Sequence, residues 1–80
     1  MEKQLILKEL TTIFRTIFEE PTLIIQDSMS ARDVEKWDSM NYMRLLSAIE
    51  NRFGFKFKFQ DLSKMKNVGE IISTIESRII

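Results

Sequence analysis

The single tryptophan of this 80-residue chain stands directly before an aspartate and a serine, at Trp37-Asp38-Ser39. The motif opens a stretch whose apolar residues have helical spacing. A hydroxyl at such a position lies beside N–H groups without helical partners and beside the positive end of the helix dipole, where phosphate groups bind well. Asp and Ser are also ordinary capping residues. The motif alone is therefore consistent with a helix cap or with a hydroxyl that carries a phosphodiester.

The composition closes the commonest routes to catalysis and to metal binding. The chain contains no cysteine and no histidine. It therefore has no disulfide framework and no thiolate metal site, which fits a reducing compartment. Histidine is the commonest general base and the usual partner of a nucleophilic serine. These absences do not exclude an enzyme, but they remove the usual routes to one, and we expect no metal site.

The charge balance gives no sign of a nucleic-acid or membrane partner. Twelve basic and twelve acidic residues give a net charge of zero. There is then no overall field to attract nucleic acid or an anionic membrane. The chain has no apolar run long enough to span a bilayer, and its start does not resemble a signal peptide. We expect a cytoplasmic monomer that neither binds nucleic acid nor inserts into a membrane.

The first half of the chain predicts one helix followed by a long loop. The helix runs from Gln4 to Phe18 and ends at Glu19-Glu20-Pro21, because proline disfavours helical geometry in the preceding residue. Its predicted apolar stripe is Leu7, Leu10, Phe14 and Ile17, with Ile6, Ile13 and Phe18 beside it. Residues 21–36 carry their own hydrophobic residues, so we expect an ordered loop with a turn of helix at residues 30–33.

The second half predicts three more helices. The second helix spans Ser39 to Phe53 and ends at Gly54. Its predicted core residues are Tyr42, Leu45, Leu46, Ile49 and Phe53. Residues 55–59 alternate Phe and Lys and form an extended connector, and residues 60–65 form a short helical turn. The last helix begins with a capping box from Asn67 to Glu70. The predicted fold is all-α, with three main helices, one short helix and a long loop between helices 1 and 2.

Three segments carry a resemblance to a known family. They are Trp37-Asp38-Ser39-Met40, the helix end at residues 48–54, and the closing segment at residues 67–72. With the helix order, the loop length and the total size, they make essentially the whole chain similar to the acyl carrier protein family, which includes the peptidyl carrier domains. The resemblance implies one acyl-carrier-like four-helix bundle over residues 1–80.

The resemblance also implies a role for Ser39. In such carriers the motif serine receives a 4′-phosphopantetheine arm from coenzyme A through a separate phosphopantetheinyl transferase. The arm then holds acyl groups as thioesters and presents them to acyl-loading and acyl-using enzymes of fatty acid and other lipid metabolism. The protein is thereby a phosphoprotein. The arm brings the thiol, so the absence of cysteine is expected.

The neighbours of Ser39 are expected to form the partner surface. Asp38 is both a cap and part of the surface that the transferase reads, whereas Trp37 is structural and anchors the loop. Met40 and Met43 belong either to the core or to an exposed contact patch. The resemblance also suggests residues that line an acyl-chain shelter in the core, namely Phe14, Leu45, Leu46, Ile49, Phe53 and Ile71.

One charge on the second helix departs from the family. Many fatty-acid-synthesis carriers are strongly acidic and present carboxylates to basic partners, whereas this chain has Arg44 at an expected acidic site. Reversing a recognition charge changes both encounter rate and specificity. This predicts a carrier for a specialised lipid, polysaccharide-modification or secondary-metabolite pathway. An aminoacyl or peptidyl carrier, or a small helical interaction module without a prosthetic group, remains the alternative.

Overall fold

The computed structural model describes residues 2–79, and its regular structure is entirely helical. Helix α1 spans Lys3–Ile17, α2 spans Ser39–Phe53, α3 spans Phe59–Lys64 and α4 spans Val68–Arg78. Helix α1 packs against α2 and α4. The predicted all-α fold, with three main helices, one short helix and a long loop after the first, is confirmed. None of the helices in these residues is both long and apolar enough to cross a membrane.

The buried stripe of α1 differs from the predicted one. The fully buried residues of this segment are spaced four apart, at Ile6, Leu10, Phe14 and Phe18. The predicted members Leu7 and Ile17 are only partly buried. Because α1 contacts both α2 and α4, the line between its two neighbours sets its buried face, and that line lies beside the predicted stripe.

Helix α2 begins and ends at the predicted residues. Asp38 has extended backbone geometry and Gly54 has the left-handed φ of 75° that a C-terminal glycine cap adopts. Leu45, Leu46 and Ile49 are buried as predicted. The predicted core residues Tyr42 and Phe53 are only partly buried, since each lies near one end of the helix.

The long loop is held to the start of α4 by backbone hydrogen bonds. The Val68 N–H donates to the Met29 carbonyl and the Gly69 N–H donates to the Asp27 carbonyl, each at 2.9 Å. The loop is thus ordered, as predicted. Residues 30–33 form a hydrogen-bonded turn rather than a turn of α-helix.

The connector and the start of α4 refine two predictions. Phe55 and Phe57 pack against the core, whereas Phe59 is 86% exposed at the start of α3. The Asn67 side chain accepts from the Glu70 N–H as predicted. The Glu70 carboxylate, however, accepts from the Lys66 N–H rather than from that of Asn67. The reciprocal capping box is therefore wrong by one residue, because the turn at residues 66–67 brings the earlier N–H to the carboxylate.

Candidate functional site

The first turn of α2 is capped by Asp38. Its Oδ1 accepts from the Asn41 N–H at 2.8 Å, and its carbonyl accepts from the Tyr42 N–H at the same distance. The Asn41 side chain then donates to the Lys36 carbonyl, also at 2.8 Å. These bonds fix the chain on both sides of residue 39.

Ser39 is exposed as the first residue of α2, and its hydroxyl takes no part in the cap. Within residues 2–79 the Ser39 hydroxyl forms no hydrogen bond, and neither do the backbone N–H groups of Ser39 and Met40. Two N–H donors and the positive end of the helix dipole therefore lie beside an accessible hydroxyl. The capping role belongs to Asp38, which leaves Ser39 available for chemistry.

Among residues 2–79, no side chain is hydrogen-bonded to the Ser39 hydroxyl as a general base would be. The sequence has no histidine, and the carboxylate adjacent to Ser39, that of Asp38, is engaged in the cap. A serine hydroxyl needs a positioned general base to act as a nucleophile. The arrangement suits a hydroxyl that another protein activates.

Trp37 anchors the site to the core. The indole is 7% exposed and meets the ring of Phe14 edge to face, at a centroid distance of 5.4 Å. Its ring centroid also lies 5.9 Å from that of Phe18 and 6.4 Å from that of Tyr42. The residue two positions before Ser39 is thus fixed on three sides, which confirms its predicted structural role.

A groove of about 540 Å³ opens beside Ser39. Its walls come from the loop, the start of α2 and the end of α3, with Ala31, Trp37, Asp38, Ser39, Tyr42, Leu62, Met65 and Lys66 as lining residues. The Tyr42 hydroxyl lies 3.5 Å from the Met65 carbonyl, and burial raises the pKa of this phenol, so the ring stays neutral. None of the six core residues suggested as an acyl shelter lines this groove.

The predicted partner residues are all on the surface. Met40 is 66% exposed and Met43 is 64% exposed. The two methionines therefore belong to an exposed patch and not to the core. Arg44 is exposed and forms no ion pair with any of residues 2–79. Met40 and Arg44 are four residues apart and so share a face of α2.

The sequence interpretation missed five residues of the groove, namely Ala31, Tyr42, Leu62, Met65 and Lys66. Tyr42 follows Ser39 by three positions, and this spacing places both on one side of a helix. That signal was present in the sequence. Ala31 comes from the long loop and the other three from beyond the connector, and no spacing rule within α2 places them beside Ser39.

Three comparisons with known proteins agree with this arrangement. Residues 8–75 match the sequence model of a family described as "Phosphopantetheine attachment site". The chain is 31% identical over 80 residues to the acyl carrier protein of Coprothermobacter proteolyticus, and the match covers 99% of this chain and 96% of that one.

A solved structure shares the fold. The solution structure of the holo acyl carrier protein from Geobacter metallireducens superimposes with a TM-score of 0.86 at 33% identity, over 91% of this chain and 84% of that one. The family match spans most of the chain, and the curated relative aligns over nearly its full length. This chain belongs to the acyl carrier protein family.

Proposed function

We propose that this chain is a non-enzymatic carrier, formed by a single domain over residues 1–80, and that Ser39 is the attachment point for 4′-phosphopantetheine. The observation that carries the proposal is the division of roles at the start of α2. Asp38 caps the helix, while the neighbouring Ser39 hydroxyl is exposed and unbonded among the described residues. A serine needed for the cap would not be free to form an ester.

The residues around Ser39 fit this group. The phosphodiester would lie beside the N–H groups of Ser39 and Met40, where the helix dipole favours negative charge. Beyond it, Tyr42, Leu62 and Met65 give the groove a largely apolar wall. When attached, the group supplies a terminal thiol that carries an acyl group as a thioester.

The attachment reaction needs only the hydroxyl from this chain. The Ser39 oxygen forms a new bond to the phosphorus next to the pantetheine of coenzyme A. The phosphoanhydride bond breaks, adenosine 3′,5′-bisphosphate leaves, and the hydroxyl proton passes to a base of the transferase. This division of labour explains how the site can function without a histidine in the chain.

The surface next to Ser39 supports a dedicated set of partners. Met40 and Met43 offer flexible apolar contacts, Asp38 a carboxylate beside the hydroxyl, and Arg44 an exposed positive charge. We propose that these four residues are read by a phosphopantetheinyl transferase and by acyl-loading and acyl-using enzymes of a specialised cytoplasmic pathway, and that the carrier acts as a monomer. An aminoacyl carrier would share the attachment chemistry and differ in its cargo.

The exposed Met40, Met43 and Phe59 favour one further candidate, a helical interaction module without a prosthetic group. Incubation of the apo protein with coenzyme A and a broad-specificity transferase separates the two. We expect the intact mass to rise by one phosphopantetheine, and the Ser39→Ala variant to stay unmodified. A mass that does not change, or a modification that survives Ser39→Ala, would contradict the proposal. The mass of the cargo on the protein isolated from its source then distinguishes an acyl from an aminoacyl carrier.

A further inference from the structure

The net charge of zero conceals a separation of charge along the chain. Residues 36–66, which include α2, the connector and α3, hold seven of the twelve basic residues and three of the twelve acidic ones. In the rest of the chain the acidic residues outnumber the basic ones. The site at Ser39 therefore lies within a positively charged part of an overall neutral protein.

The three acidic side chains in this part are occupied by internal bonds. Asp38 caps α2. Glu50 accepts from the Phe57 N–H at 2.8 Å and lies 3.8 Å from the Lys56 ammonium. Asp61 accepts from the Lys58 N–H and forms an ion pair with Arg78. Glu50 and Asp61 thus bond within the fold, whereas the exposed Asp38 uses one carboxylate oxygen in the cap and remains the acidic group beside Ser39.

Five cations are exposed here without an ion pair to any of residues 2–79. They are Lys36, Arg44, Lys58, Lys64 and Lys66, which together we term the cationic face. Lys66 lines the groove beside Ser39. Its members lie in the loop before the site (Lys36), on α2 (Arg44), at the two ends of α3 (Lys58 and Lys64) and beside the groove (Lys66).

Exposed apolar residues lie among these cations. Met40 and Met43 are on α2, and Phe59 and Leu62 are one turn apart on α3. Leu62 also lines the groove. Four large apolar side chains within a charged surface are typical of a contact site rather than of an ordinary solvated face.

We propose that the cationic face is the docking surface for enzymes whose complementary surface presents carboxylates around an apolar centre. The inference rests on the proposed function, because an enzyme that receives the arm from Ser39 must cover the surface around it. Opposite charges would raise the association rate and exclude partners with basic surfaces. The methionines and Phe59 would supply the apolar contact at the centre.

An anionic lipid surface meets the same charges, but the geometry favours a protein. Helices that lie on membranes have one continuous apolar face opposite a charged one. Here the apolar residues are divided between two helices on either side of a groove, and α3 has only six residues. A shaped protein surface fits this grooved surface better than a planar membrane does.

The test uses two synthetic helical peptides with the same leucine stripe, flanked in one by glutamates and in the other by lysines. Each is titrated into isotope-labelled holo-protein, and in parallel into apo-protein, while amide NMR signals are followed. Vesicles of phosphatidylcholine, with and without phosphatidylglycerol, form the third probe. The variant Arg44→Glu/Lys64→Glu removes two cations of the face. The control Lys3→Glu/Lys8→Glu changes the net charge equally on α1.

We expect the glutamate peptide to shift signals from α2 and α3 and the lysine peptide to shift none. The double variant should weaken glutamate-peptide binding roughly tenfold, while the control variant should leave it within about twofold. Binding should also weaken as sodium chloride rises, since the charges are exposed.

Three outcomes would overturn the proposal. They are equal binding of both peptides, signal changes confined to α1 or α4, and unchanged binding in the double variant. Binding to the anionic vesicles that depends on Arg44 and Lys64, together with absent peptide binding, would assign the face to lipid instead. The mass of the holo-protein reports separately on Ser39, and the apo titration needs no prosthetic group. A failure of the proposed function is therefore distinguishable from a failure of the docking proposal.

Discussion

Trp37 and Phe14 meet edge to face, with ring centroids 5.4 Å apart and an interplanar angle of 86°. Phe14 is fully buried in α1, and Trp37 is two residues before the site serine. The pair therefore connects the position of Ser39 directly to the hydrophobic core. Edge-to-face aromatic pairs contribute beyond the area that they bury.

This contact predicts a large loss of stability in Trp37→Ala. Truncation of a buried aromatic residue costs about 3 to 5 kcal/mol, because it leaves a cavity and removes apolar burial. Trp37→Phe should cost less, since it keeps an aromatic ring against Phe14. Urea unfolding followed by circular dichroism measures both. Met40→Ala, at a position that is 66% exposed, is the control and should change stability by less than about 0.5 kcal/mol. A similar loss of stability in Trp37→Ala and in the control Met40→Ala would contradict the anchoring role of Trp37.

Two substitutions at Asp38 separate capping from recognition. Asp38→Ala removes the acceptor for the Asn41 N–H and should destabilise the protein by about 0.5 to 2 kcal/mol. Asp38→Asn keeps a capping oxygen and removes the charge, so stability should be nearly retained. If the transferase reads the carboxylate, kcat/KM for modification of Ser39 should fall in both variants. Unchanged kinetics in Asp38→Asn would show that Asp38 acts only as a cap.

The ion pair between Glu9 and Arg52 predicts a defined pH dependence. The Arg52 Nε donates to Glu9 Oε1 at 2.6 Å and joins α1 to α2. The hydrogen bond from Arg52, the largest cause, lowers the pKa of Glu9 below its ordinary value. A lowered folded-state pKa gives stability that is present above the unfolded-state pKa and is lost as the pH falls through the folded-state pKa.

Glu9→Gln measures this contribution. The variant should be less stable than the parent protein near neutral pH. The difference should shrink as the pH falls below the ordinary glutamate pKa of about 4.3 and should vanish below the lower folded-state pKa of Glu9. Thermal unfolding across this range gives both curves. Glu76→Gln is a suitable comparison, since Glu76 forms no ion pair with any of residues 2–79. A difference that persists in acid would assign the effect of Glu9→Gln to packing rather than charge.

Gly54 predicts a cost that comes from the backbone alone. Its φ is 75°, and a Cβ added there would meet no heavy atom within 4 Å. Gly54→Ala should therefore cost about 1 kcal/mol through the left-handed conformation, without a clash. Gly54→Asn should cost less, because Asn tolerates this region better. Urea unfolding of the two variants checks which of them loses more stability. If Gly54→Ala were neutral, the left-handed cap at the end of α2 would be in doubt.

Local signals explain the success of the sequence interpretation at α2. An aspartate before the helix and a glycine after it are short-range features, and both ends were predicted correctly. The buried face of α1 was predicted less well, since α1 packs against α2 and α4, which lie far along the chain, and Phe18 packs against Trp37. Periodicity shows that a face exists, but tertiary packing selects its centre.

The distribution of charge over the surface was the property that the sequence predicted least well. A net value of zero does not reveal that Arg44, Lys64 and Lys66 are exposed without an ion pair to any of residues 2–79 while Glu50 and Asp61 are bonded internally. Whether a carboxylate serves the fold or the surface depends on its partner in space. The groove beside Ser39 was missed for the same reason, because Leu62 and Lys66 reach it only through the packing of α3.

The backbone bonds between the long loop and α4 have a consequence for how the protein opens. The Val68 and Gly69 amides donate to the carbonyls of Met29 and Asp27. Both amides belong to the first turn of α4, where no carbonyl within the helix is available to them, so the loop supplies their acceptors. Hydrogen exchange of the Val68 and Gly69 amides should therefore report the free energy with which the loop detaches from α4. The loop before the site is thus held in place by a helix that lies near the other end of the chain.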